Sequence, residues 1–311
     1  MKYAVLAVAA IAAISFFAMS DLSYDETDAL FETFVQEYKR SYFSQEEFNL
    51  RKANFNAFLK VVDQRNAVDT ATHGITQFAD WSQEEFMGYL TLQSNANTNI
   101  EVTPYRISDY DHLDETTEVK DQGACGSCWA FSANEAVESS EAHIGGDLHK
   151  LSEQRLLDCA FNLGCNGGGW MTTGIDNVLK NQPFSYEEEY PYKAVKGTCS
   201  PTKATASLKV TKRVSGSGQD FLTKAVVDYA PSVAVDASTW SSYTGGVMTN
   251  CGKSLNHGVQ VVGTLDNAWV VRNSWGQRWG EKSLNTAQSN GYIRLAEGNT
   301  CGLMSEVHYL T

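Results

Sequence analysis

Gln122-Gly123-Ala124-Cys125-Gly126-Ser127-Cys128-Trp129-Ala130-Phe131 is the stretch that decides how this chain is read. It sets a thiol, Cys128, at the start of a predicted helix and an amide side chain, Gln122, shortly before it. A cysteine at a helix N-terminus feels the positive end of the backbone dipole, which favours the nucleophilic thiolate. Gly126 and Ser127 are small enough for the turn to bring backbone N–H groups close to a bound molecule. Cys125 and Cys128 alone would also suit a zinc ligand pair or a dithiol redox centre. Zinc would want a second close pair. Cys159 and Cys165 are spaced too widely for that, although His143 and His149 lie nearby, so no metal and no cofactor is expected. Downstream residues favour the nucleophile instead. His257 and, within Arg272-Asn273-Ser274-Trp275-Gly276, Asn273 supply the proton carrier and the orienting group that a cysteine nucleophile requires.

The run Cys125-Gly126-Ser127-Cys128-Trp129 resembles the active-site signature of the papain and cathepsin family of cysteine proteases. Gln122, Cys128, His257 and Asn273 occur in that family's order, each within its local motif. The resemblance implies an α+β, papain-like two-lobed fold, a helical lobe beside a β-barrel-like sheet lobe, with a cleft between nucleophile and base. It also implies roles. Cys128 attacks as thiolate paired with a protonated His257, His257 then protonates the leaving amine, and Asn273 fixes the imidazole. Gln122, with the backbone N–H of Cys128, stabilises the oxyanion, a contact worth about 3 kcal/mol. Trp275 would shield the His–Asn hydrogen bond from water, which is compatible with a plain core role.

The same resemblance maps a substrate cleft. Cys165-Asn166-Gly167-Gly168 matches a loop whose glycine backbone pairs with an extended peptide. Gly169, Trp170, Ala234, Leu255 and Gly258 fall on the walls of the pocket for the side chain two residues before the cut bond, and Glu306 on its floor. A carboxylate there can pair with arginine, or turn toward water when a large apolar side chain enters. Both are expected as substrates, unless Glu306 points to solvent from a C-terminal strand. The segment between Cys199 and Val210 leaves no room for the occluding loop of cathepsin B. Endopeptidase action is therefore expected; the alternatives are an exopeptidase of the same family or a non-catalytic binding protein that keeps the fold.

With 311 residues, 42% of them hydrophobic, the chain can bury the core of one or two domains. Residues 1–20 read as a signal peptide, an apolar run ending in Ala18-Met19-Ser20. A secretory start makes the seven cysteines disulfide candidates and leaves one thiol over, which should be Cys128. The resemblance implies Cys125 with Cys165, Cys159 with Cys199, and Cys251 with Cys301. A net charge of −13 argues against nucleic acid or anionic membrane as partners. Protein or peptide substrates, the chain's own propeptide and cystatin-type inhibitors are the partners implied for a monomer free of the membrane after signal cleavage. The destination stays open among lysosome, acidic vacuole and the extracellular space.

Residues 21–103 read as a separate helical unit. Phe31, Phe34, Val35 and Tyr38, then Phe48, Phe55, Phe58, Leu59 and Val62, recur at helical spacing and predict two amphipathic helices. The unit resembles the inhibitory propeptide of the cathepsin L type in Glu47, Arg51, Phe55 and Asn66, with Val62 for isoleucine and Phe58 departing from asparagine. Gly74-Ile75-Thr76-Gln77-Phe78-Ala79-Asp80 matches a second propeptide element, with Thr76 replacing asparagine. Protonation of Asp80 is an expected acid trigger. Polar residues 93–99 read as an exposed linker before a processing point near Thr103-Pro104. Residues 104–311 then form the peptidase domain, with helices expected after Cys128 to His143, over 152–159 and over 172–180, and strands over 232–236, 257–263, 268–274 and 291–295. Residues 282–289 look like an insertion.

Overall fold

The computed structural model describes residues 23–103, 108–282 and 290–311. The expected signal peptide, the Pro104 side of the processing point and residues 283–289 of the insertion lie outside the described residues.

Two aromatic stripes build the first unit. Helix α1 (Tyr24–Glu37) starts at Ser23, whose hydroxyl accepts from the Glu26 amide while Glu26 reaches back to the Ser23 N–H. This reciprocal cap satisfies two amides the helix leaves free. Helix α2 (Gln45–Asn66) is capped by Ser44 and buries Phe55, Phe58, Leu59 and Val62 against Leu30, Phe31 and Phe34 of α1. Phe58, the departure from the family motif, is one more ring in that core. Strand β1 (Thr72–His73) and helix α3 (Gln83–Tyr89) follow. Arg51 of α2 pairs with Glu85 of α3 at 2.8 Å and donates to the Asp80 carbonyl, so the helices and the connecting turn hold together.

The helical lobe of the second unit begins with the short strand β2 (Tyr110–Asp111) and is centred on α4 (Cys128–His143), buried from Cys128 to Glu141. Around it lie α5 (Glu153–Cys159), capped by Ser152 as its sequence predicts, and α6 (Met171–Lys180). The sheet lobe contains β3 (Arg213–Gly216), α7 (Gln219–Asp228), β4 (Ser232–Val235), β5 (Tyr243–Gly245), β6 (Val247–Met248), β7 (His257–Leu265), β8 (Ala268–Arg272), β9 (Tyr292–Ala296) and β10 (Val307–Leu310). Its order is β3-β10-β4-β7-β8-β9-β6, with β2 paired on β7 and, among the described residues, only β6–β9 parallel. Asp266 and Asn267, with φ of 52° and 58°, close the β7–β8 hairpin. Residues of this kind tolerate the left-handed turn whose twist suits a two-residue hairpin. Strand β7 runs two residues past its expected end, whereas β8 ends at Arg272, two residues short of its expected end, with the Asn273 amide still bonded across to the Gly291 carbonyl.

The first unit lies on the second. Strand β1 pairs antiparallel with β5, and Gly74 N–H donates to the Ser242 carbonyl at 2.7 Å. Thr76, in place of the family's asparagine, donates to the Ser241 carbonyl. Phe78, Phe86 and Tyr89 pack on Trp275, Phe78 edge-on at 4.9 Å. Residues 93–99, expected to be an exposed linker, are exposed only on alternate residues, with Gln93 and Ser94 held to Gly167 and Glu306 and the Thr98 carbonyl to Asn299. No helix among the described residues is long and apolar enough to cross a membrane.

Candidate active site

Cys128 opens α4, and the turn before it is clamped by the Cys125–Cys165 disulfide and a 2.9 Å hydrogen bond from Gly126 N–H to the Cys165 carbonyl. Only glycine fits at 126: a Cβ would stand 2.5 Å from the Cys165 carbonyl oxygen. His257 begins β7 and Asn273 follows β8. Because these strands pair antiparallel, with Gln260 opposite Arg272, the start of one lies beside the end of the other. Asn273 Oδ1 accepts from its neighbour's amide, Ser274 N–H, at 2.8 Å, which orients the carboxamide with oxygen toward the ring. His257 Nε2–H therefore donates to Asn273 Oδ1 at 2.8 Å, and Nδ1, buried and without a protein partner, keeps its lone pair. Trp275 covers the imidazole at 4.8 Å between ring centres, and Trp240 meets it edge-on.

Gln122 is fully buried. Its Oε1 accepts from Ser274 Oγ at 2.7 Å, and its Nε2 donates one hydrogen to the Cys125 carbonyl at 3.0 Å. The carboxamide is thus fixed beside the nucleophile's turn from both ends.

The cleft is filled by the chain's own residues 91–94. Thr91 Oγ1 donates to the Gly126 carbonyl, Leu92 N–H to the Asn256 carbonyl at 3.1 Å, and Gln93 N–H to the Gly169 carbonyl at 3.2 Å. Gln93 Nε2 reaches the Gly167 carbonyl. Gly168, at φ 68°, lets the Thr91 carbonyl approach so closely that a Cβ would sit 1.9 Å from its oxygen. Leu92 joins a buried apolar cluster with Cys128, Met171 and Ala234, against which Leu255 packs. Ser94 Oγ donates to Glu306 at 2.5 Å, and His308 Nε2 lies 3.2 Å from the same carboxylate. Burial pushes the Glu306 carboxyl up, but the hydrogen bonds from His308 and Ser94 outweigh it and hold it below the usual range.

The structure brings Gly167, Gly168, Gly169, Ala234, Leu255, Gly258 and Glu306 to this cleft, while Trp170 stacks on exposed Phe161 at its rim. Met171 and His308 escaped the sequence reading. Met171 Sδ would stand 3.1 Å from a Cβ at position 258, and His308 shares a strand face with Glu306, a period-two signal the sequence carried. The three disulfides pair as the family resemblance implies, so Cys159 and Cys165 are unavailable to a metal, and Cys128 is the free thiol.

The electrostatics differ from the expected thiolate–imidazolium pair. Burial pushes the Cys128 thiol up to about 11, against hydrogen bonds from the backbone of Gly258, Trp129, Cys128 and Leu92. Burial likewise pushes His257 down to about 4, with the Asn273 hydrogen bond acting the other way. Under residues 91–94 desolvation penalises both charged forms and so works against the thiolate–imidazolium pair. The expected acid trigger also fails on sign. Burial raises the Asp80 carboxyl despite Arg40 at 3.1 Å and Tyr42 at 3.0 Å, so protonating it does not loosen the docked unit. Asp69 behaves oppositely. Its carboxylate accepts from Thr249 N–H at 2.8 Å and Thr249 Oγ1 at 2.9 Å, and despite burial these and the Ala71 and His73 contacts hold its carboxyl low.

Comparison with known proteins agrees with this geometry. The papain family cysteine protease domain matches residues 104–311, and the cathepsin propeptide inhibitor domain matches residues 31–86. Cathepsin L 2 of Paramecium tetraurelia is 38% identical over 303 residues, covering 90% of this chain and 91% of that protein. The structure of digestive procathepsin L 3 from the larval midgut of Tenebrio molitor superposes with a TM-score of 0.79 at 32% identity, covering 93% of this chain and all of that one. The recombinant stem bromelain precursor gives a TM-score of 0.78 at 32% identity, over 92% of this chain and 98% of that one. With a free cysteine heading α4, a histidine hydrogen-bonded to an asparagine, and its own residues 91–94 lying in the cleft, this chain belongs to the papain family of cysteine proteases and is a cathepsin L-like proenzyme.

Proposed function

We propose that the protein is a cysteine endopeptidase held latent by residues 21–103 and active as residues 104–311, with Cys128, His257, Asn273 and Gln122 as its catalytic groups. The observation that carries this reading is the 2.8 Å hydrogen bond from His257 Nε2–H to Asn273 Oδ1, which leaves Nδ1 as the ring's free base. When residues 91–94 leave, water enters, and the Cys128 proton passes to His257 Nδ1. Cys128 Sγ then attacks the scissile carbonyl carbon, and Gln122 Nε2–H with the Cys128 backbone N–H receives the developing oxyanion. His257 returns its proton to the amine as the C–N bond breaks. It next takes a proton from the water that hydrolyses the thioester, releasing the acid and restoring Cys128.

An extended substrate takes the place of residues 91–93 on the backbone of Gly167 to Gly169, with the side chain two residues before the cut bond in the Ala234, Leu255, Gly258 and Met171 pocket. Glu306, already drawn toward Ser94, receives a basic side chain. The reading also gives a secretory route to an acidic or extracellular compartment, and cystatin-type proteins as inhibitors of the opened cleft. The test is acid activation of the proenzyme followed by cleavage of fluorogenic peptides blocked at the N-terminus, with Leu or Arg two residues before the cut bond. Turnover of both is expected. Turnover only of peptides with a free terminus would make it an exopeptidase, and no turnover with an unlabelled Cys128 would make it a non-catalytic member of the family.

A further inference from the structure

Three side chains converge at the end of α4 remote from the cleft. His112 follows β2, Glu115 ends the single-turn helix Leu113–Glu115, and His143 is the last residue of α4. At the helical rise of 1.5 Å per residue this is roughly 22 Å from Cys128. His112 is buried, and its Nε2 lies 2.8 Å from the Val226 carbonyl oxygen of α7. A carbonyl only accepts, so Nε2 carries the hydrogen and a neutral ring presents the Nδ1 lone pair. That Nδ1 faces Glu115 Oε2 at 2.7 Å, and His143 Nδ1 lies 3.1 Å from the same oxygen. A ring lone pair and a carboxylate oxygen cannot face each other at this distance without a cation between them, either a proton or a metal ion.

We propose that His112 Nδ1, His143 Nδ1 and the Glu115 carboxylate form a site for one divalent transition-metal ion, with zinc as the ion whose ligand preferences it meets. The three donor atoms lie within 4.8 Å of one another. Two imidazoles and a carboxylate, with water in a fourth position, are a donor set that zinc takes. The His112 Nε2–H to Val226 carbonyl bond is the outer contact by which proteins fix the tautomer and direction of a metal-bound ring. Bonds of about 2.0–2.1 Å place tetrahedral ligands roughly 3.3 Å apart, so Glu115 must withdraw by a few tenths of an ångström and the exposed His143 ring must swing toward His112, the donor atoms lying within 4.8 Å of one another. The Glu115 side chain is 33% exposed, as is that of His143, which permits both movements and admits the water. The negative end of the α4 dipole favours a cation here. Tyr110 and Tyr229 hold the two rings edge-on at 4.8 and 5.2 Å. A bound ion would brace the start of the peptidase unit, α4 and α7 against one another.

The test uses the full-length proenzyme carrying Cys128→Ser, so that no free thiol competes, and no histidine tag. Calorimetric titration with zinc is expected to give one ion per chain, and cobalt(II) to give visible bands without the thiolate-to-metal absorption. Zinc is expected to raise Tm. Glu115→Gln and His143→Ala, both at partly exposed positions, are each expected to weaken binding by at least about tenfold and to remove most of the Tm rise, with circular dichroism unchanged. No stoichiometric binding to the unaltered cluster would overturn the proposal and make it a proton-shared ion pair. Binding unchanged in both variants would overturn it by placing the ion elsewhere.

Discussion

At the scale of single residues, the site turns on hydrogen bonds that fix direction. Gln122 is held by Ser274 and the Cys125 carbonyl, so its amide is positioned before substrate arrives. Gln122→Ala should lower kcat by about 10²–10³ with little change in KM, as loss of one oxyanion donor does; an unchanged kcat would remove Gln122 from the reaction. Glu306 is the residue most informative about specificity, since its carboxylate is held below the usual range beside the segment that fills the cleft. A charge-assisted hydrogen bond contributes about 1.5–3 kcal/mol. Glu306→Ala should therefore reduce the ratio of kcat/KM for Arg over Leu peptides by roughly tenfold or more. A constant ratio would mean that arginine never meets this carboxylate.

At the scale of elements, docking of the helical unit depends on the β1–β5 pair, the Phe78, Phe86 and Tyr89 rings on Trp275, and the clasp around Asp69. Arg65 of α2 adds bonds of 2.9 and 2.7 Å to the hydroxyls of Ser241 and Ser242, while buried His73 contacts both Ser242 and Asp69. A carboxyl whose pKa is lowered on docking stabilises the docked form above its free value and loses that contribution as pH falls through the docked value. Asp69 obeys this sign and Asp80 does not. His73, lowered first of all by burial, also loses stability as pH falls. Asp69→Asn should thus shift the midpoint of self-processing to higher pH, measured by the appearance of processed chain against pH. A midpoint that moves with Asp80→Asn and not with Asp69→Asn would reverse the assignment.

At the scale of the whole molecule, latency is a matter of solvent as well as of steric cover. Burial pushes the Cys128 thiol up, which favours the unreactive thiol over thiolate while residues 91–94 cover it. Alkylation of Cys128 by iodoacetamide should be at least about 100-fold slower in the proenzyme than after processing, because thiolate is the reactive form. Equal rates would show that burial does not silence the pair. The two lobes that must stay in register around it are joined by buried charge: Arg272 of β8 donates to Thr117 and the Glu118 carbonyl and lies 3.9 Å from Glu135 of α4, while within the helical lobe Lys120 bridges Glu138 and Glu153 at 2.5 and 2.6 Å. Removing one member of such a set leaves a buried charge uncompensated, at a cost of about 3–5 kcal/mol. Arg272→Met is accordingly expected to lower Tm in thermal unfolding.

Local sequence was enough to single out Cys128, His257 and Asn273, because each sits in a short motif, and the fold brings His257 and Asn273 to a hydrogen bond. It also placed α1, α2, α4, α5 and α6, where caps such as Ser23 and Ser152 and a helical apolar period agree. It did not place α3 or α7, although Ser82 and Glu85 form a capping box at the start of α3 that local sequence carries. Nor could it put the polar stretch after Leu92 in the cleft, since its bonds go to Gly167, Gly169 and Glu306, far along the chain. The direction in which burial shifts Cys128 and His257, the sign of Asp80 and the meeting of His112, Glu115 and His143 were likewise decided only in three dimensions. Desolvation and the distance between charges depend on which distant segments close over a group, and those are set by packing.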